Sequence, residues 1–253
     1  MEKTIKDGII CVFDILGYKN FLQNNSIYEC AENIKNIITK IPEEVENQIA
    51  ELFNNLIDKT LKEKTEIFLK NNFHHINVSD SILLVFDLSD IMEDRDYFTF
   101  YAFMYARFFH EISFKKGFPM RGCIDIGSFY SYNNIFAGNT IVNSFQESEN
   151  MNISGLIISE NAIKIIEEKG GTNSKRFIEL WVSKYIIPLK NNVEGYKNLI
   201  EWGFNLIKNE NTDVKQVVFE SFHAHKKEVN LSVMEKINNT EKILRFFIMK
   251  YRK

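Results

Sequence analysis

Residues 9–18, Ile-Ile-Cys-Val-Phe-Asp-Ile-Leu-Gly-Tyr, decide the fold. The apolar run before Asp14 predicts a buried strand that ends in a carboxylate. A second stretch, residues 76–86 (Ile-Asn-Val-Ser-Asp-Ser-Ile-Leu-Leu-Val-Phe), places Asp80 between two β-rich runs and predicts a hairpin. A carboxylate at the end of a buried strand costs stability unless its charge is compensated. Two of them together indicate a shared divalent cation.

The composition narrows the class of protein. The chain has 253 residues, 45% of them hydrophobic, and a formal net charge of −3. This near-balance of charge argues against a nucleic-acid-binding surface, which usually shows a basic excess. No apolar run reaches the roughly 18 residues of a membrane span, and the first residues lack the apolar stretch of a secretory signal. We therefore expect a cytoplasmic protein with neither nucleic acid nor membrane as a partner.

The three cysteines do not indicate a metal or disulfide framework. Cys11, Cys30 and Cys123 are far apart in the chain and show no CxxC spacing. Cys11 and Cys123 lie in apolar, strand-like segments, so buried reduced thiols are expected.

Strand pairs alternate with helices along most of the chain. This order predicts an α+β sandwich with a mainly antiparallel sheet covered by helices. Residues 193–252 show no β-rich run, so we place a boundary near residue 190. The expected organisation is a domain over residues 1–190 and a helical C-terminal extension over residues 191–253.

The order of motifs resembles that of the class III nucleotidyl cyclases over roughly residues 8–187. In that family a strand ends in Asp, an aliphatic residue and a Gly-aromatic turn, and a second metal aspartate lies at a hairpin tip. Three later strands follow in order. The first ends in a glycine, the second is followed by a glycine and a helix, and the third ends in a serine before a short helix. The matching segments here are Asp14–Tyr18, Ser79-Asp80 (with Ser79 where glycine is usual), the strand ending at Gly127, Ile135–Gly138 and Leu156–Ser159.

The resemblance implies a two-metal phosphorus–oxygen lyase. Asp14, Asp80 and the backbone carbonyl of Ile15 would hold two Mg²⁺ or Mn²⁺ ions per site. In such a site the 3′-hydroxyl of a nucleoside triphosphate attacks its own α-phosphorus and pyrophosphate leaves, and two ions stabilise the attacking and leaving oxygens. Family members pack two protomers head to tail with sites at the interface, so the resemblance also implies a homodimer.

The departures from the family concern recognition of the base. Ile76 and Ile135 stand where purine-selective members have a lysine and an aspartate, and neither can hydrogen-bond a base. Val142 and Gln146 stand where the family has its transition-state asparagine and arginine. One interpretation is an inactive scaffold, and the other is an enzyme for a different base.

The bacterial anti-phage pyrimidine cyclases of the Pycsar type resemble this chain better than the purine-selective cyclases do. They keep both aspartates and carry an Arg-Gly strand, here Met120–Gly127. The resemblance implies conversion of UTP to 3′,5′-cyclic UMP and pyrophosphate, a second messenger that a separate cyclic-nucleotide-sensing effector would detect. The alternatives are a cytidylate cyclase that makes cyclic CMP from CTP, and a non-catalytic nucleotide-binding or dimerisation module.

Arg121 is the remaining catalytic candidate. Its guanidinium could donate in bidentate fashion to a pyrimidine carbonyl or a phosphate, and the alternative is a salt bridge at a strand start. The predicted substrate-binding set comprises Gly17, Tyr18, Ser79, Arg121 and Asn143. Asn143 is a candidate contact to ribose or base, with a solvent-facing helix position as its alternative. The sequence leaves open the choice of uracil or cytosine, the activating signal, the role of residues 191–253 and the substitute for the missing arginine.

Overall fold

One sheet runs through the part of the chain that the structure describes. The structure is a computed structural model, and it describes residues 5–53, 59–133, 135–206 and 212–251. The strands are β1 (Ile5–Ile15), β2 (Phe73–Val78), β3 (Ser81–Asp87), β4 (Met120–Tyr132), β5 (Ile135–Ala137), β6 (Gly155–Ile158), β7 (Val182–Pro188) and β8 (Glu194–Ile200). Their order is β2-β3-β1-β4-β6-β8-β7, and β5 pairs with β4. Only β4 and β6 pair in parallel among these strands, which confirms the predicted, mainly antiparallel sheet.

Helices cover this sheet. They are α1 (Tyr18–Asn24), α2 (Ile27–Ile38), α3 (Lys40–Phe53), α4 (Lys59–Asn72), α5 (Arg95–Lys115), α6 (Asn139–Asn150), α7 (Glu160–Lys169), α8 (Thr172–Trp181), α9 (Val214–His223) and α10 (Leu231–Tyr251). Among the residues within these ranges, no helix is long and apolar enough to span a membrane.

Alternation along β1 divides its side chains between two faces of the sheet. Ile9, Cys11 and Phe13 enter the main core, which contains the aromatic-rich α5. Ile10 and Val12 point to the opposite face, where α6 packs. Because side chains alternate with a period of two, Asp14 lies on the α6 face of the sheet.

The packing of α6 on β4 depends on Gly127. A Cβ atom at this position would lie 2.6 Å from the hydroxyl oxygen of Thr140, in the first turn of α6. Glycine is therefore required here for close approach of helix and strand. This contact gives a physical reason for the glycine at the end of the predicted Arg-Gly strand.

The expectation that residues 193–252 contain no strand is wrong. Glu194–Ile200 forms β8, which pairs with β7 and, through Ile157↔Leu199, with β6. Its sequence carries few β-branched residues, so pairing on both sides overrides a weak local preference. The predicted boundary at residue 190 therefore lies inside the β7–β8 hairpin.

The helical C-terminal part begins at α9. Together with α10 it forms a second core with Cys123 on β4, Leu199 on β8 and the fully buried Trp202, which also packs on Phe114 of α5. The extension therefore shares a hydrophobic core with the sheet.

Candidate functional site

The two predicted metal aspartates meet at one edge of the sheet. Asp14 is opposite Ser81 of β3 on one side and opposite Arg121 of β4 on the other. Asp80 immediately precedes Ser81 in the hairpin turn, and its carbonyl accepts a hydrogen bond of 2.8 Å from the amide of Ile15. Residues directly opposite on paired strands have Cβ atoms about 5 Å apart. The structure thus brings together two stretches that are more than 60 residues apart in the sequence.

The backbone of both turns is left-handed. Ser79 has φ +58° in the hairpin, a conformation that disfavours most side chains and suits glycine. Gly17 has φ +78° and precedes α1. This geometry explains why glycine is usual at the Ser79 position in the resembling family, and why Gly17 fits the β1–α1 turn.

Tyr18 is the first residue of α1 and belongs to the main core. Its ring packs on Phe21 with 5.9 Å between ring centroids. Burial raises the pKa of the Tyr18 hydroxyl, and the negative charge of Asp80 raises it further. Tyr18 therefore borders the aspartate pair from the core side.

Arg121 is bound to Asp14. Its Nε and one terminal nitrogen each lie 2.6 Å from the Oδ2 atom of Asp14. The other terminal nitrogen donates to the carbonyls of Glu149 (2.7 Å) and Met151 (3.1 Å), at the end of α6. The side chains of Arg121 and Asp14 are only 12% and 14% exposed. The salt-bridge alternative describes Arg121 in this structure, although the bridge is largely buried.

The pKa of Asp14 is raised despite this ion pair. Burial is the largest cause, and the charges of Asp80 and Glu149 act in the same direction, whereas Arg121 lowers the pKa by its charge and hydrogen bond. One guanidinium therefore does not fully offset the desolvation and the neighbouring carboxylates. Additional positive charge at this edge would be favourable.

The donor chemistry at this edge suits Mg²⁺ or Mn²⁺. Two carboxylates and a backbone carbonyl are hard oxygen ligands, and Mg²⁺ in proteins is usually held by one or two carboxylates plus phosphates and waters. Within the described residues no group of three or more His, Cys, Asp or Glu side chains could hold a metal ion. The protein's side-chain contribution would therefore be Asp14 and Asp80, and Asp14 would have to leave Arg121.

Comparison with known proteins bears on the fold. No family model matches this chain, and no curated protein matches its sequence. Among solved structures, the guanylyl cyclase domain of the RhoGC fusion protein of the aquatic fungus Blastocladiella emersonii is 14% identical with a TM-score of 0.47, and covers 79% of this chain and 99% of its own. The guanylate cyclase domain of RhGC from Catenaria anguillulae, in complex with GTP, is 12% identical with a TM-score of 0.46, over 79% and 98%.

A bacterial light-regulated adenylyl cyclase has the broader match. It is 7% identical with a TM-score of 0.50, over 89% of this chain and 59% of its own. The fold is that of a class III nucleotidyl cyclase domain. The predicted fold class is therefore confirmed, and the likeness at such low identity concerns the fold alone.

The two base-reading positions and the two transition-state positions at which this chain departs from the purine-selective cyclases are apolar or exposed. Ile76 lies on β2, and Ile135 on β5 is 59% exposed. Val142 on α6 is 51% exposed, and Gln146 is exposed one turn later. The cyclase fold therefore presents no charged group at these four positions.

Asn143 is exposed on α6 and lines a cavity that does not include Asp14 or Asp80. The structure therefore does not bring Asn143 to the aspartate pair within one protomer. Its predicted contact with ribose or base stays a prediction.

Sequence reasoning missed Lys236 on α10. The first half of α10 docks on the segment after α6, where the Asn152 amide donates to Glu235 (3.0 Å) and the Asn239 amide donates to the Asn152 carbonyl (3.2 Å). The pKa of Lys236 is lowered, first by burial and then by the charge of Arg121, with Lys190 also contributing. Lys236 therefore lies within electrostatic range of Arg121, the partner of Asp14, and of Lys190. A single lysine in a charged helix gave no sequence signal for this position.

Proposed function

We propose that the protein is a nucleotidyl cyclase with a two-metal site built on Asp14 and Asp80. The observation that carries this proposal is the junction of β1 and the β2–β3 hairpin, where the Ile15 amide binds the Asp80 carbonyl and both aspartates lie at one sheet edge. Bound Mg²⁺ or Mn²⁺, two ions per site, would stabilise the attacking 3′-oxygen and the leaving pyrophosphate. The Ile15 carbonyl is the proposed backbone ligand.

The chain's own residues would bind and orient the triphosphate. Gly17 and Ser79 lie at left-handed turns next to the aspartate pair, and neither carries a bulky side chain. Tyr18 is fixed in the core and holds the start of α1 in place. Arg121, once free of Asp14, could donate to phosphate oxygens or a base carbonyl.

The proposed substrate is UTP, and the proposed products are 3′,5′-cyclic UMP and pyrophosphate. Ile76 and Ile135 offer no hydrogen bond to a purine edge, and the Arg-Gly strand resembles that of the anti-phage pyrimidine cyclases. CTP, giving cyclic CMP, is the alternative substrate. In this proposal the product activates a separate effector protein during phage infection, and the enzyme acts in the cytoplasm.

The proposed assembly is a homodimer. Ile135 and Val142 are large apolar side chains that are more than half exposed on neighbouring elements, β5 and α6. A second protomer would remove such apolar surface from water. A paired arrangement would also place groups of one protomer near the aspartates of the other.

A second candidate function is a non-catalytic nucleotide-binding or dimerisation module. The observation that favours it is the Asp14–Arg121 ion pair, because the arginine occupies an oxygen that a metal would need. Under this alternative the pair would persist in the presence of divalent ions and nucleotides.

Incubation of the purified protein with UTP, CTP, ATP and GTP, each with Mn²⁺, distinguishes these functions. We expect a cyclic pyrimidine nucleotide and pyrophosphate, detected by mass spectrometry, and no product from Asp14→Asn or Asp80→Asn. Turnover confined to ATP or GTP would refute the pyrimidine assignment. Absence of product, together with no metal-dependent binding of UTP in calorimetry, would refute the enzyme and favour a non-catalytic dimerisation module.

A further inference from the structure

The loop between α9 and α10, residues 224–230, docks on α1, the helix that follows β1. The side-chain amide of Asn24 donates to the carbonyl of Lys226 (2.9 Å), and that of Asn25 donates to the carbonyl of His225 (2.6 Å). Side chains of α1 therefore hold the loop through its backbone.

The loop also packs on the turn between α5 and β4. The Nε2 atom of His225 donates to the carbonyl of Lys116 (2.8 Å), and its ring stacks on Phe118 with 4.4 Å between ring centroids. A Cβ atom at Gly117 would lie 2.3 Å from that of Ala224, so this contact leaves no room for a side chain on the turn. The loop is thus anchored on two separate elements.

The α5–β4 turn also supports the candidate metal site. The carbonyl of Pro119 accepts a hydrogen bond of 2.9 Å from the amide of Leu16, and the preceding amide, that of Ile15, binds the carbonyl of Asp80. The α9–α10 loop therefore contacts both the helix that follows the β1–α1 turn and the turn that is bonded to it.

Lys227 contacts the β1–α1 turn directly. The residue is 3% exposed, and a Cβ atom at Gly17 would lie 3.3 Å from its Cδ atom. Its Nζ atom donates to the carbonyls of Gly117 (2.7 Å) and Ser221 (3.4 Å), and burial lowers its pKa to about 7. Lysine is rarely buried to this extent, because removal of its amine from water is costly. Here its burial places the aliphatic chain over Gly17.

The backbone of the loop is strained. His225 and Lys226 are adjacent non-glycine residues with φ +58° and +59°. A left-handed backbone is unfavourable for residues with a Cβ atom, and it persists only where surrounding contacts determine it. The docked conformation therefore depends on the contacts with α1 and the α5–β4 turn, and loss of those contacts should release the loop.

We propose that residues 224–228 form a strap that positions the β1–α1 turn of the candidate metal site. The strap acts through the backbone of this turn, so Lys227 and His225 are positioning residues. Because Ile15 supplies the proposed backbone ligand, docking of the strap and binding of divalent ions should favour each other. This coupling rests on the proposed function, whereas the effect of the strap on the turn does not.

Hydrogen exchange of the Ile15 and Leu16 amides, followed by NMR in the metal-free full-length protein, tests the strap. Asn25→Ala should raise their exchange rates at least about tenfold at constant pH through local opening, while the amides of β4 and β6 change less than about twofold. Lys227→Ala should act in the same way. Lys227→Met keeps a chain of similar length over Gly17 and should restore most of the protection.

The matched control is Asn238→Ala, the same change at an exposed position of α10. It should leave exchange at Ile15 and Leu16 unchanged. Unchanged exchange at these two amides in Asn25→Ala would overturn the proposal, even if Lys227→Ala does not fold. An equal increase across the turn and the amides of β4 and β6 would overturn it as well, because a general loss of stability would then explain the effect.

Binding of Mn²⁺ tests the coupling to the proposed function. In the presence of UTP, electron paramagnetic resonance of free Mn²⁺ should show at least about fivefold weaker binding to Asn25→Ala than to the wild-type and Asn238→Ala proteins. Equal affinity of all three would overturn the coupling. A wild-type protein that binds no Mn²⁺ would refute the two-metal site alone, because exchange at Ile15 and Leu16 is measured without metal.

Discussion

Replacement of Arg121 by glutamine tests the ion pair at the candidate metal site. The substitution removes the guanidinium from Asp14 and also from the carbonyls of Glu149 and Met151. Breaking a buried ion pair by removing one partner costs about 3–5 kcal/mol. The side chains of Arg121 and Asp14 are 12% and 14% exposed, so the pair is not fully buried. We therefore expect the free energy of unfolding to fall by about 2–4 kcal/mol in the absence of metal.

The same substitution should strengthen metal binding. In the wild-type protein a cation must displace Arg121 before it can use the bonded oxygen of Asp14. If that exchange costs about 1.4 kcal/mol or more, Arg121→Gln should bind Mn²⁺ at least about tenfold more tightly. Saturating Mn²⁺ should then raise the free energy of unfolding of Arg121→Gln by more than it raises that of the wild-type protein, because ligand binding to the folded state stabilises it.

Urea unfolding with and without Mn²⁺, together with electron paramagnetic resonance of free Mn²⁺, measures both effects. The control is Arg95→Gln, which removes an arginine bound to Asp7 and to the Leu88 carbonyl at the opposite end of β1. It should lower stability without changing the affinity for Mn²⁺. Weaker or unchanged Mn²⁺ binding in Arg121→Gln would refute the reasoning that Arg121 competes with metal for Asp14.

Three further outcomes follow from the structure. Ser79→Gly should raise the free energy of unfolding by about 0.5–1 kcal/mol, because it relieves a left-handed conformation, whereas Ser79→Val should lower it; urea unfolding measures both. Burial lowers the pKa of Lys227 to about 7 in the folded protein. In the unfolded chain this lysine has an ordinary pKa of about 10.4. The unfolded state therefore binds more protons between these values, and stability should rise with pH over this range by at most about 1.4 kcal/mol per unit, a rise that Lys227→Met should lack. Gly127→Ala should cost about 1–3 kcal/mol by contact with the Thr140 hydroxyl, and Thr140→Ala should recover part of that cost in a double-mutant cycle.

The elements around the aspartates could be predicted because their signals are local. The apolar run before Asp14 and the two β-rich runs around Asp80 each specify a strand. Ser26 and Glu29 have the spacing of a capping box, and the structure shows that box at the start of α2. The hairpin then places Asp80 at a strand end without any long-range information. Ser159 likewise caps α7, where its hydroxyl accepts from the amide of Ala162.

The contacts of Arg121 could not be predicted, because they depend on pairing between distant segments. Asp14 and Arg121 face each other only through the register of β1 against β4, which joins residues 107 positions apart. One residue of slip would move Arg121 to the other face of the sheet. The strand β8 was missed for a related reason, since its pairing with β6 and β7 compensates for weak local signals.

The choice between enzyme and scaffold depends on which group pairs with the Arg121 guanidinium once a triphosphate is bound. Asp14 needs a cationic partner because it is largely buried, and Arg121 supplies one. With divalent ions on Asp14 and Asp80, Arg121 would lose its carboxylate, but the phosphates would offer it new oxygens, which guanidinium groups bind in bidentate fashion. That exchange keeps every buried charge paired, so its cost is small only when metal and triphosphate bind together. An enzyme of this design should therefore bind Mn²⁺ weakly alone and more tightly with nucleotide, whereas a scaffold would keep the Asp14–Arg121 pair in both states.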